Sequence, residues 1–154
     1  MPNWSEGILK VRGKYENVID FFNDNLEIVD FFGNEIKSAL TIDDYDDLVE
    51  ISLKGKGYVK GTNRNFTKSD YIGIYRREDN TACAVIHIKG AWFIEPNPYI
   101  KMSKNHDVDI KIESFERGME FSQYILIEKG HLIENKYIEY DDYDWECPNP
   151  LLGG

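Results

Sequence analysis

No apolar run in the chain approaches the roughly 18 residues that a membrane-spanning helix needs. The polar opening Met1-Pro2-Asn3-Trp4-Ser5-Glu6 has neither the charge nor the apolar stretch of a signal peptide. The expectation is a soluble, cytoplasmic protein without membrane contact. Cysteine is scarce: Cys83 and Cys147 stand far apart and are expected as free thiols, neither flanked by a basic residue that would activate it. Histidine is nearly as scarce. His87, His106 and His131 share no helical or metal-ligand spacing, and no serine sits in a nucleophile-elbow context. Calcium-loop geometry fails too. A loop counted from Asp43 would want glycine and glutamate where the chain has Leu48 and Lys54, and one counted from Asp141 reaches Leu152 at its bidentate position. These absences predict a non-enzymatic protein that needs no metal and no cofactor.

What the chain does have is a sizeable apolar fraction and an uneven charge. Its 154 residues are 42% hydrophobic and 14% aromatic, enough for one domain with a buried core. The net charge of -10 is local rather than general. Residues 43–50 (DDYDDLVE) and 139–146 (EYDDYDWE) hold five acids each and no base, which equals the whole net charge. An opposite pole lies between them. Lys54, Lys56, Lys60, Arg64 and Lys68 are interleaved with glycines, Tyr58 and Phe66, with no acid in the stretch.

Periodicity supplies a coarse map. Gly7 to Arg12 predicts a short strand, and Val18, Ile19, Phe22 and Leu26 recur at helical steps from Tyr15 to Leu26. Residues 28–42 combine the core-like pair Phe31-Phe32 with the turn-like Gly33-Asn34, so no element is assigned there. Alternation then predicts strands at Leu48–Leu53, Gly57–Lys60 and Tyr71–Arg77, and a central one at Ala82–Phe93. Asn97 is the expected cap of a short helix with Pro98 in its first position, ending at Asn105-His106. Val108–Arg117 is a half-buried strand, followed by Met119–Glu128 and Leu132–Tyr140 as a hairpin around Lys129-Gly130-His131. Trp4 and Trp92, at strand ends, are expected to close a core. The order β-α-β-β-α-β plus a hairpin predicts an α+β ferredoxin-like sandwich: a mostly antiparallel sheet with two helices on one face and a C-terminal hairpin added. Residues 1–154 form a single domain, with 141–154 as an acidic tail containing proline and glycine.

Three stretches carry a resemblance. Met1-Pro2-Asn3-Trp4 leading into Leu9-Lys10-Val11-Arg12-Gly13, then Gly90-Ala91-Trp92 with prolines just after, then Phe115-Glu116-Arg117-Gly118-Met119-Glu120-Phe121 together resemble a family of small phage-, plasmid- and transposon-borne proteins with a ferredoxin-like domain. The resemblance implies a mobile-element setting and an accessory or counter-defence role. It carries over no catalytic residue.

Two binding surfaces follow from the charge poles. Asp43, Asp44, Asp46 and Asp47, with Asp141, Asp142, Tyr143, Asp144 and Trp145, combine carboxylates with aromatic anchors. They are expected to dock a host or element protein with a basic surface, the sharper version being inhibition of a nucleic-acid-handling defence system. The alternative is nucleic-acid or nucleotide binding by Lys54, Lys56, Tyr58, Lys60, Arg64 and Lys68, with nucleic acid the less favoured partner.

Overall fold

Inward-facing Ser5, Gly7, Leu9 and Val11 alternate with solvent-side neighbours, so the first strand, β1 (Trp4–Lys14), extends well past both ends of the expected Gly7–Arg12 segment. It leads directly into α1 (Tyr15–Asn25), which buries Tyr15, Val18, Phe21 and Phe22. The Asn25 side chain donates to the Phe21 carbonyl at 2.8 Å, satisfying one of the acceptors a helix end leaves open, and Leu26 is already extended. The computed structural model describes residues 1–154. After α1 come β2 (Leu26–Val29), a single 3-10 turn at Lys37–Ala39, β3 (Leu40–Asp44), β4 (Leu48–Leu53), β5 (Lys56–Val59), β6 (Asn65–Thr67) and β7 (Tyr71–Tyr75). The second half holds β8 (Thr81–Ala91), α2 (Pro96–His106), β9 (Asp109–Glu116), β10 (Phe121–Glu128), β11 (His131–Glu139) and the short α3 (Tyr143–Glu146).

The protein is a mixed α+β fold, 49% strand and 19% helix, with mostly antiparallel sheet. One sheet has 8 strands in the order β11-β10-β9-β1-β8-β6-β5-β2, and a second has 3 in the order β3-β4-β7. β4 and β7 were expected as strands, but their separation into a second sheet, and the strands β2 and β3 of residues 26–44, are absent from the sequence-derived strand order. Two further expectations are corrected. The strand expected to reach Phe93 ends at Ala91, because Trp92 turns into the left-handed region at φ 70 and donates its N–H to the Asn3 carbonyl. The helix expected to start at Pro98 starts at Pro96, with Glu95 as its cap and both prolines in its first turn. Prolines are tolerated there because the first backbone N–H groups of a helix have no internal acceptor.

α1 and α2 pack against each other and cover one face of the large sheet. Leu9 and Val11 of β1, Ile86 and Ile88 of β8, Ile110 and Ile112 of β9, and Ile125 and Ile127 of β10 meet Val18 and Phe22 in a single apolar cluster. Ile19 is only partly buried at its margin. The inward residues of the small sheet, among them Ile51, Ile72 and Ile74, belong to the same cluster. The other face of the large sheet carries only the short α3, whose Tyr143 packs on Phe115 at the β9 side, and is free of helix over β1, β8, β6 and β5. At the far end, Lys129 (φ 45) and Gly130 (φ 83) both lie in the left-handed region, as a two-residue hairpin turn between β10 and β11 requires. Ser103 ties that turn to α2: its hydroxyl accepts from the Gly130 N–H at 2.8 Å and donates to the Val108 carbonyl.

Ile110→Ala should cost about 2 to 5 kcal/mol in chemical denaturation, since the side chain is fully enclosed and its removal leaves a cavity. A loss below about 1 kcal/mol would place this strand outside the core.

Candidate functional site

Outward-facing residues of β1, β8, β6 and β5 converge at one corner of the uncovered sheet face. Register does this. Glu6 pairs with Lys89 and Ile8 with His87 across β1 and β8, Phe66 pairs with Lys89 across β6 and β8, and Tyr58 pairs with Phe66 across β5 and β6. Three aromatic rings therefore adjoin. Trp4 and Phe66 meet edge-to-face at 6.1 Å between centroids, and Tyr58 tilts against Phe66 at 5.7 Å. Cations lie over them: Lys56 Nζ is 4.0 Å from the Phe66 centroid, Lys89 Nζ 4.6 Å from Trp4, and the Arg64 guanidinium 5.6 Å from Trp4. The acid within this group, Glu6, is neutralised by Lys68 at 2.7 Å. Glu27, opposite Tyr58 across β2 and β5, borders the patch.

A turn forms its outer wall. Asp30 accepts from the N–H groups of both Phe32 and Asn34 at 2.8 Å, which fixes residues 30–34 and leaves Phe31 and Phe32 exposed at 95% and 85%. Between this turn and Lys56, Tyr58 and Phe66 is a cavity of about 390 Å³. The apolar pair that reads as core in the sequence thus stands in solvent beside the patch.

Beside the cations is a half-buried polar link. His87 Nε2 donates to Glu6 at 2.7 Å, while Nδ1 accepts from the Lys68 backbone N–H at 3.0 Å. Both ring nitrogens are engaged only in the neutral tautomer. Burial pushes the His87 imidazole below its usual range and outweighs the pull of Glu6. Burial alone would raise the Glu6 carboxyl, but Lys68 and His87 hold it below its ordinary value. Burial also lowers the Lys89 ammonium, helped by repulsion from Lys68 and Lys56.

The sequence-derived ribbon is thus divided. Lys56, Tyr58, Arg64 and Lys68 join the patch, whereas the Lys54 N–H bonds the Ala39 carbonyl and the Lys60 N–H the Asn25 carbonyl, and Lys60 lies towards Asn97 and Lys101 of α2. Trp4, Lys89, His87 and Glu6 were not singled out as binding residues by sequence reasoning. Their pairing with the ribbon was not readable, since Lys68 is 62 positions from Glu6 and 19 from His87. Trp4 is half-buried on the open sheet face and outside the apolar core, and Trp92 is exposed.

The acidic stretches end up apart. Asp43 and Asp44 lie in β3, and Asp46 and Asp47 in the turn after it. The Asp47 carbonyl accepts from the Arg76 N–H, and Arg76 covers Tyr15 at the Lys14 end of β1. Asp141, Asp142, Asp144 and Trp145 belong to the α3 segment near the opposite end of β1, where the Gly154 N–H donates to the Trp4 carbonyl. Tyr143 packs inward with Phe115 and Cys147, leaving Trp145, 86% exposed, as the free aromatic of that segment.

The remaining candidates for chemistry stay scattered. His106 is 3.8 Å from Asp24, His131 begins β11, and no group of three metal-binding side chains forms. Both cysteines are free thiols. Cys83 does have a basic neighbour, contrary to the sequence-based expectation, because β1 places Arg12 directly across from it. No protein-family model, curated protein or solved structure matches the chain.

The Glu6–His87 link makes stability pH-dependent with a definite sign. Both groups have depressed values in the fold, so their stabilisation is present above their ordinary ranges and is lost as pH falls through the folded values. Denaturation midpoints should fall from neutral pH towards about pH 4, and His87→Gln should flatten the upper part of that fall. Superimposable profiles for the two proteins would remove the link.

Proposed function

We propose that this protein binds single-stranded nucleic acid on the uncovered face of its large sheet. The observation that carries the reading is the set of cations stacked on clustered aromatics: Lys56 on Phe66, with Lys89 and Arg64 on Trp4. Bases stack on the rings while the displaced ammonium and guanidinium groups pair with phosphates. Energetics favour the exchange. An exposed cation–π contact is worth about 0.5 to 1 kcal/mol, against about 1 to 3 kcal/mol for a stacked base, and the freed cation gains a phosphate partner.

The strand order β9-β1-β8 with α1 and α2 behind it supports reading the core as ferredoxin-like, extended by β10 and β11 on one side and by β6, β5 and β2 on the other. Sheets of that design bind unpaired bases on their open face in other proteins, which is support by analogy. Net acidity does not oppose the reading. The β3–β4 acids stand at the other end of β1, on the order of 30 Å from Trp4, several screening lengths at physiological salt. α3 is nearer but lies on the β9 side, so the path of a polyanion runs over β8, β6 and β5.

A second reading rests on Trp145. Its exposed ring among Asp141, Asp142 and Asp144 offers an anchor and charge for a protein with a basic surface. The resemblance to mobile-element proteins favours a host target for such a contact.

Mixed-sequence single-stranded DNA and RNA, titrated at low salt, should quench tryptophan fluorescence and be retarded in gels. Trp4→Ala should weaken binding by about 1 to 3 kcal/mol. Lys56→Ala with Lys89→Ala should lower the salt slope by about 0.7 per lost phosphate contact. Unretarded nucleic acid at low salt, with binding of a basic protein abolished by Trp145→Ala, would transfer the function to the acidic segment.

A further inference from the structure

β11 forms one outer edge of the large sheet, and its 9 residues have side chains that are almost all exposed. Ile133 and Tyr137, at 51% and 56%, are among them. A long edge with apolar side chains is a template for another strand, and proteins ordinarily blunt such edges with bulges, brevity or unmatched charge. Here the pairing with β10 shifts register once, between Leu126 and Ile127, so Ile133 is the extra residue and the strand runs regularly from Glu134 to Glu139. The charges on that regular part are matched rather than unmatched. Glu134 and Lys136 lie two residues apart on the open face and form an ion pair at 3.0 Å.

The segment Ile133-Glu134-Asn135-Lys136-Tyr137 is complementary to itself when read backwards. We infer that β11 pairs antiparallel with β11 of a second copy about a two-fold axis through Asn135. Asn135 then faces Asn135 of the partner subunit. Glu134 faces the partner subunit's Lys136, and Lys136 the partner subunit's Glu134, so four charges alternate in sign across the axis. On the helix side, Tyr137 follows the charged positions and comes opposite the bulge at the partner subunit's Ile133. Opposite charges directly across a ladder stabilise it. A one-residue slip in either direction loses both charge matches, so the register is specified. Tyr137 is held for this contact by stacking on Phe121, 4.5 Å between centroids and 25° from parallel. A single strand pair covers less than the roughly 1,000 Å² of a stable interface, so the dimer is weak and concentration-dependent.

Sedimentation velocity of the full chain between about 5 and 500 µM should show a monomer–dimer equilibrium. Glu134→Lys and Lys136→Glu should each raise the dimer dissociation constant by about tenfold or more, because like charges then face each other across the axis. The diagnostic step is mixing. The edge of a Glu134→Lys chain carries lysine at both charged positions and that of a Lys136→Glu chain carries glutamate at both, so an equimolar mixture should form a heterodimer at wild-type strength. The doubly reversed variant should recover homodimerisation. Matching thermal melts confirm that the singles are folded. A wild-type chain that stays monomeric throughout, or single variants that do not recover on mixing, overturns the inference.

Discussion

β1 is the constraint on which the rest of the structure depends. It is hydrogen-bonded on both sides, to β8 along its whole length from Trp4 opposite Ala91 to Lys14 opposite Thr81, and to β9 from Glu6 to Arg12. A strand buried on one face cannot slip by one residue without turning Leu9 and Val11 out and Ile8 and Lys10 in. Packing under α1 and α2 therefore fixes the register. The same register fixes which side chains stand on the uncovered face, bringing Glu6 beside His87 and Lys89, and Trp4 beside Phe66. The strand-borne part of the candidate site follows from core packing, and the turn at residues 30–34 with Arg64 and Lys68 adds to it from the adjoining loops.

What could be read in the sequence was what depends on neighbours. The helical spacing of Val18 and Phe22 and the strict alternation of Ile110 and Ile112 place these residues in the core that the structure shows. What could not be read depends on distant partners. Phe31-Phe32 has core composition, but Asp30 accepting two backbone N–H groups makes a rigid turn that holds both rings in solvent. The acidic run at Asp43-Asp44 has loop composition, yet it pairs with Glu50 and Val49 as a strand edge. Of the patch, the ribbon residues close in sequence were visible. Trp4 and Lys89 were not, because only the pairing of β1 and β6 with β8 brings them together.

Charge is separated in space as well as along the chain. The patch holds four cations around three rings, and the lowered Lys89 value reports both burial and mutual repulsion among Lys56, Lys68 and Lys89. Like charges held this close raise the free energy of the unliganded surface, and Glu6 offsets only part of it. On the proposed reading, a polyanion would relieve that repulsion as well as add its own contacts, and a basic protein would gain nothing there. The acids at the two ends of β1 present the opposite charge.

Edge pairing and face binding are geometrically independent. From β5, through β11 and its symmetric copy, to the partner's β5 is about thirteen strand spacings, a little over 60 Å at about 4.8 Å each. Twist accumulates at roughly 20° per strand, so the two patches differ in facing by on the order of 260°. They do not form one continuous platform. On the proposed dimer a short single strand would occupy one patch without sensing the other, and only a ligand long enough to wrap around the twisted sheet would engage both and gain from their effective concentration. Under both proposals, loss of the β11 contact would leave the intrinsic affinity of each patch unchanged and remove only the length dependence of binding to long strands.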